Sequence, residues 1–143
     1  VYDLPERAGC KNVLNLHGTI FDNECPRCGK KYPMEYIRDA KKIPLCEKCQ
    51  IPVRPKVMLF GEQVDNQLMT HAVNEISKAD VLLLLGTTFS SGLCDQYVKY
   101  FEGSNLILIN GKEHFMDEKA DVILHEEVKT ALPKIVWPEG KKA

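Results

Sequence analysis

The sequence is poor in aromatic residues, which make up 8% of it, and its 143 residues hold a single tryptophan. It has no long apolar run. The longest, Val81–Leu85, is five residues, against the roughly 20 that a membrane-spanning helix needs. Charge of neither sign prevails: 19 basic and 20 acidic residues leave a net −1. No basic field therefore points to nucleic acid or to an anionic membrane. Glycine and proline are not in excess, there is no heptad run, and no 20–50-residue period repeats. The start lacks an apolar signal-peptide core and an initiator methionine, so an internal segment of a longer protein is expected.

What is present is ordinary globular material. Hydrophobic residues reach 44% and charged residues 27%, enough apolar content to exclude a disordered chain. From residue 55 onward the pattern alternates. Residues 57–60 form a short apolar run closed by Gly61, read as a buried strand. Over residues 66–78, Leu68, Met69, Ala72, Val73 and Ile76 keep to one face of a 3.6-residue period, which predicts a helix capped by Asp65 or Asn66. Val81–Leu85, residues 106–109 and residues 121–124 are three further apolar runs. The first, without alternation, predicts a strand buried on both faces of a parallel sheet. Val128–Val136 reads as a helix that Pro133 weakens. The fold class is α/β.

Six cysteines are too few for a disulfide scaffold of this length, and four of them form two C-x-x-C pairs. Cys25 and Cys28 are separated from Cys46 and Cys49 by 17 residues, the spacing of a four-cysteine zinc site in a reducing, intracellular, cytoplasmic setting. Two such turns complete a tetrahedron and leave no position for water, so the site is read as structural. Gly29 suits the tight turn after the first pair. Residues 22–54, which carry these cysteines, hold eight basic and five acidic residues. Four zinc-bound thiolates bring that +3 to about +1, which disfavours a nucleic-acid zinc ribbon. Cys10 and Cys94 are read as small core residues.

Two further signals are weaker. His17, within Leu16-His17-Gly18-Thr19, follows a strand-like run at residues 13–16, and an imidazole there suits a general base near neutral pH. His71, His114 and His125 are read as histidines with ordinary structural partners. Gly86-Thr87-Thr88 and Asn110-Gly111-Lys112 each follow an apolar strand, where open parallel sheets bind ligands. The glycine-rich G-x-G-x-x-G fingerprint is absent.

In order along the chain, Ala8-Gly9-x-x-Asn12-Val13, Leu16-His17-Gly18, the paired cysteines, Arg54-Pro55-x-Val57-x-x-Phe60-Gly61-Glu62, Gly86-Thr87, Ile109-Asn110 and Ala120-Asp121 resemble the sirtuins, NAD-dependent protein lysine deacylases. The resemblance runs over nearly the whole chain. It implies part of a Rossmann-like domain (residues 1–21 and 55–143) with an inserted zinc module at residues 22–54. It implies NAD as cosubstrate, structural Zn²⁺ on Cys25, Cys28, Cys46 and Cys49, and His17 as the catalytic base. An acyl-lysine protein would pair with the backbone of Val57, Met58, Leu59, Phe60, Gly61 and Glu62. NAD contacts fall to Gly86, Thr87, Thr88, Asn110, Gly111 and Lys112, with Val128 against the adenine. No nucleic-acid or membrane partner is implied.

The implied reaction begins with attack of the acyl oxygen on C1′ of the nicotinamide ribose, which releases nicotinamide. His17 then deprotonates a ribose hydroxyl, and the acyl group leaves on ADP-ribose. The departures are specific. The family's G-A-G-x-S segment and Q-N-x-D motif are missing, and Tyr2 and Pro5 stand where that region of the family has aspartate and histidine. The chain is therefore expected to be inactive alone. The alternatives are a non-catalytic zinc- and peptide-binding module and a mono-ADP-ribosyltransferase.

Overall fold

The structure is a computed structural model, and it describes residues 1–136. The chain divides into two compact units, Val1–Met69 and Thr70–Ala143.

In the first unit a short helix α1 (Leu4–Arg7) precedes a three-stranded antiparallel sheet in the order β2–β1–β3, built from β1 (Gly18–Glu24), β2 (Lys31–Tyr32) and β3 (Arg54–Val57). Helix α2 (Met34–Arg38) follows β2. The β1–β3 register shifts between Thr19, opposite Lys56, and Asn23, opposite Pro55. Asn23 is buried at the shift and donates its amide to the Ile20 carbonyl at 3.0 Å. The core here is small: Cys25, Tyr32, Cys46 and Val53, with Tyr36, Ile37, Cys49 and Ile51 against them. A core this thin calls for a further source of stability.

Two expectations change in this unit. Residues 13–16 form an irregular segment, so His17 enters β1 from a turn instead of leaving a strand. The physical cause is that the Asn15 carbonyl accepts from Gly18 N–H at 2.7 Å, which turns the chain just before the ladder starts. The strand read at residues 57–60 lies earlier, at Arg54–Val57. Beyond it the chain turns back at Gly61 (φ +86°), and Phe60 is fully exposed. Cys10, read as core, is exposed as well.

Helix α3 (Asn66–Ser77) contains the division between the units. Its cap is Asp65, whose Oδ1 accepts from the N–H groups of Gln67 and Leu68, each at 3.0 Å. The second unit is built on a parallel sheet in the order β4–β5–β6: β4 (Val81–Leu85), β5 (Asn105–Ile109) and β6 (Val122–Leu124). Parallel pairing demands crossovers. Helix α4 (Gly92–Val98) lies within the first; a 3₁₀ turn at Asp117–Lys119 lies within the second. Neither is long enough to be read from apolar periodicity, although Leu93, Cys94, Tyr97 and Val98 of α4 do fall on one helical face. Leu106, Leu108 and Phe89 form the buried core, with Leu82, Leu84, Cys94, Val98 and Phe101 packed on it.

The strand Val81–Leu85 is not buried on both faces. Its residues alternate, and Val81, Leu83 and Leu85 are 40–50% exposed. It presents one face to the core and the other, among the described residues, to solvent. Helix α5 (Val128–Val136) runs through Pro133, which sits in its sixth position. Proline there forfeits one backbone bond near the helix end and does not stop the helix.

Candidate functional site: a four-cysteine centre, an exposed histidine and a strand-end cleft

The four cysteines converge. Their sulfurs all lie within 4.8 Å of one another, and Cys28 Sγ is 3.7 Å from Cys46 Sγ. A tetrahedral zinc with bonds of about 2.3 Å sets sulfurs about 3.8 Å apart. Two turns of matching geometry achieve this. In the first, Gly29 N–H donates to Cys25 O at 2.9 Å and Cys25 N–H to Lys30 O at 2.9 Å. In the second, Gln50 N–H donates to Cys46 O at 2.8 Å and Cys46 N–H to Ile51 O at 2.7 Å. Both turns need a left-handed residue after the second cysteine, Gly29 at φ +69° and Gln50 at φ +56°.

The chemistry of the donor set fits a dication. Cys25 and Cys46 are 1% and 0% exposed. The Tyr32 hydroxyl beside Cys46, aided by the amides of Cys49 and Lys48, brings that thiol down to about 6. Burial and the neighbouring sulfurs of Cys28 and Cys25 push Cys49 up to about 12. Four thiols this crowded ionise together only with a compensating cation among them. Tyr32 is itself held in place by Glu47 N–H, which donates to its hydroxyl at 2.9 Å. The residues present therefore fit zinc, with Cys25, Cys28, Cys46 and Cys49 as its ligands.

His17 is exposed, but its backbone is fixed. Its carbonyl accepts from Met58 N–H at 3.1 Å. The next residue, Gly18 (φ +70°), lies so close to β3 that a Cβ there would be 1.9 Å from the Lys56 carbonyl oxygen. Segment 57–62 leaves the same pairing. Glu62 clasps it: Oε2 accepts from Leu59 N–H at 2.8 Å, and Oε1 pairs with Arg54. The Arg54 guanidinium and that amide hold the Glu62 carboxyl below its ordinary range.

In the second unit the ends of all three parallel strands open on one cleft of about 560 Å³, lined by Gly86, Asn110, Gly111, Lys112, Glu127, Val128 and Lys129. The ladder extends one residue past each of the first two strands, through Gly86 N–H to Ile109 O at 2.9 Å and Asn110 N–H to Leu124 O at 3.1 Å. The cleft begins where that ladder stops, the position at which open α/β sheets bind nucleotides. Five of the seven residues read as NAD contacts meet here; Thr87 and Thr88 are not in this lining. Thr88 Oγ1 instead lies 2.9 Å from Ser90 Oγ, which is 3.3 Å from His114 Nε2. Glu127 and Lys129 are the lining residues that sequence reasoning missed. Neither carries a motif, and only the turn after β6 brings them in. The left-handed Gly86 (φ +64°) and the two lysines of the lining fit an anionic nucleotide.

A second missed feature centres on Asp117. Asp117 is 3% exposed, and its Oδ2 accepts from His114 N–H at 2.8 Å and His125 Nε2 at 3.0 Å. Glu113 Oε1 lies 3.6 Å from the other ring nitrogen of His125. His114 and His125 thus have structural partners, as their sequence positions predicted.

A mixed α/β chain with a closed four-cysteine centre and a nucleotide-type cleft at parallel strand ends is a narrow class. The sequence model of the Sir2 family matches residues 1–91, and the chain belongs to that family. It is similar to an NAD-dependent protein deacetylase of Clostridium perfringens, 36% identical over 137 residues covering 93% of this chain and 55% of the relative. Against the NAD-dependent protein deacetylase of Clostridium acetobutylicum the identity is 37% over 134 residues, with the same two coverages. Among solved structures, one described as Sir2 with a p53 peptide and NAD⁺ superposes with a TM-score of 0.79 at 27% identity, covering 94% of this chain and 58% of that one. Another, from work on the mechanism and regulation of Sir2 enzymes, gives 0.80 at 29% identity, covering 94% and 56%. The chain thus spans little more than half the length of these relatives. No helix among the described residues is long and apolar enough to cross a membrane.

Proposed function

We propose that this chain carries the general base, the structural zinc module and the adenosine-binding end of an NAD-dependent protein lysine deacylase. The observation that carries the reading is His17: an exposed imidazole on a backbone held against residues 56–58 by Met58 N–H and by the Gly18–Lys56 approach. A general base needs that combination of access and fixed position. Membership of the Sir2 family and the likeness to proteins named NAD-dependent protein deacetylase support it.

In this reading His17 takes the proton of a ribose hydroxyl. The outer edge of β3, which ends its sheet, and residues 57–62 pair with an acyl-lysine peptide as an added strand. Gly86, Asn110, Gly111, Lys112 and Val128 hold the adenosine end of NAD, with Thr87 and Thr88 nearby in sequence. NAD supplies the electrophilic glycosidic carbon; the zinc supplies only stability to its module. Residues 22–54 are the inserted module, whose neck is the Asn23–Pro55 and Glu24–Arg54 pairing. Cysteines arranged for metal and not joined in disulfides support an intracellular setting.

The test joins this chain to the unmatched part of the C. perfringens relative and supplies NAD and an acetyl-lysine peptide. Nicotinamide release with formation of free lysine is expected, and His17→Ala should abolish it with zinc content unchanged. Preserved turnover in His17→Ala would remove the base role. The 143 residues alone should give no turnover. Tyr2 and Pro5 favour a second reading, a non-catalytic binding module. ADP-ribose binding without nicotinamide release from the joined protein would establish it. Transfer of ADP-ribose to protein in place of deacylation would instead identify a mono-ADP-ribosyltransferase.

A further inference from the structure

We propose that Glu127 makes the strand-end cleft selective for an unmodified ribose, so that the site takes NAD-type and rejects NADP-type ligands. This selectivity rests on the nucleotide reading of the cleft and assigns the group that chooses between the two.

Donors and acceptors decide the ligand. Asn110 Nδ2 donates to the Lys112 carbonyl at 2.9 Å. One of its two amide hydrogens is thereby engaged inside the turn, and its Oδ1 is an acceptor it can offer the cleft. Glu127 brings a carboxylate, an acceptor only when ionised. Among the described residues that carboxylate takes part in no ion pair or hydrogen bond, while the Glu127 backbone carbonyl is engaged by Thr130 and Ala131 N–H at 2.8 and 3.0 Å. The side chain is therefore free for a ligand at a position its backbone fixes.

Its place is set by Gly111. A Cβ on Gly111 would lie 3.0 Å from Glu127 Oε1, so the carboxylate rests against the bare backbone of the Asn110–Gly111 turn. Two acceptors from successive strand ends thus share one lining. A vicinal diol, with two adjacent hydroxyl donors, matches them. A 2′-phosphate removes one of those donors and adds a charge of about −1.5 to −2 beside a carboxylate. Carboxylates select the free 2′-hydroxyl in other dinucleotide folds for the same reason. Lys112 and Lys129, exposed on the same lining, supply the positive charge that a diphosphate needs.

Calorimetric titration of the 143-residue chain with ADP-ribose and with 2′-phospho-ADP-ribose tests this. The wild-type chain should bind ADP-ribose at least about tenfold more tightly than the 2′-phosphorylated form. Glu127→Gln should cut that preference at least about fivefold, mainly by improving binding of the phosphorylated ligand, and Glu127→Lys should reverse it. Circular dichroism confirms folding; Glu127 is exposed, so both variants should fold. A preference unchanged in both variants, or a wild-type preference for the phosphorylated ligand, overturns the role of Glu127 and leaves the nucleotide reading intact. Failure of the wild-type chain to bind either ligand overturns both.

Discussion

Gln50 occupies in the second cysteine turn the position that Gly29 occupies in the first. Each residue follows the second cysteine of its pair, donates its N–H to the carbonyl of the first, and adopts a left-handed backbone, at φ +56° and +69°. Only glycine does so without steric cost; other L-residues lose about 1–2 kcal/mol there. Gln50 recovers part of it by donating Nε2 to the Glu47 carbonyl at 3.0 Å. Gln50→Gly should therefore stabilise the zinc-loaded chain by about 0.5–1 kcal/mol. Gly29→Ala, with open space around its Cβ, should cost about 1 kcal/mol from backbone strain alone. Urea denaturation of both variants checks the pair.

The metal should be stoichiometric and structural. One zinc per chain is expected by elemental analysis. Cys28→Ser or a strong chelator should abolish the tertiary signal of Tyr32 and Tyr36, whose ring centroids lie 4.7 Å apart beside the centre. Near-ultraviolet circular dichroism reads this directly. An unchanged spectrum after complete zinc removal would contradict a metal-dependent core.

Asp117 is expected to be the most costly polar substitution in the second unit. Asp117→Ala leaves His114 N–H and His125 Nε2 without their shared acceptor, in a position only 3% exposed. The loss should be about 2–4 kcal/mol. Thermal unfolding of the variant measures it.

Acid should loosen the 59–62 turn before it unfolds the chain. The Glu62 carboxyl is held below its ordinary range by Arg54 and by Leu59 N–H. A depressed folded value means that the stabilisation is complete above the unfolded value of about 4.3 and is lost as pH falls through the lower folded one. The Leu59 amide resonance should shift with that transition, and Glu62→Gln should remove the pH dependence.

The elements legible in the sequence are those whose signal is local. Helix α3 and strands β4, β5 and β6 follow from periodicity and apolar runs, and the cysteine centre from spacing alone. Helix α4 is hidden because it is short: Leu93, Cys94, Tyr97 and Val98 fall on one helical face, but seven residues are under two turns and give that spacing no room to repeat. The exposure of Val81, Leu83 and Leu85 is hidden for another reason: an unbroken apolar run records composition, not how many layers cover it. Phe60 reads as strand core, yet the Glu62 clasp turns the chain before the ladder can reach it. Glu127 leaves no trace at all, since its place beside Gly111 comes from a crossover that only the fold supplies.

Gly18 decides how position 17 tolerates change. The contact that fixes position 17 is made by its neighbour's missing side chain and by its own carbonyl, not by the imidazole. The scaffold is thus indifferent to what residue 17 is. A family of chains could exchange or lose the imidazole there and keep the same mount, whereas any side chain at residue 18 would spoil the mount whatever stood at 17. The imidazole and the glycine that mounts it occupy adjacent positions and answer to separate constraints.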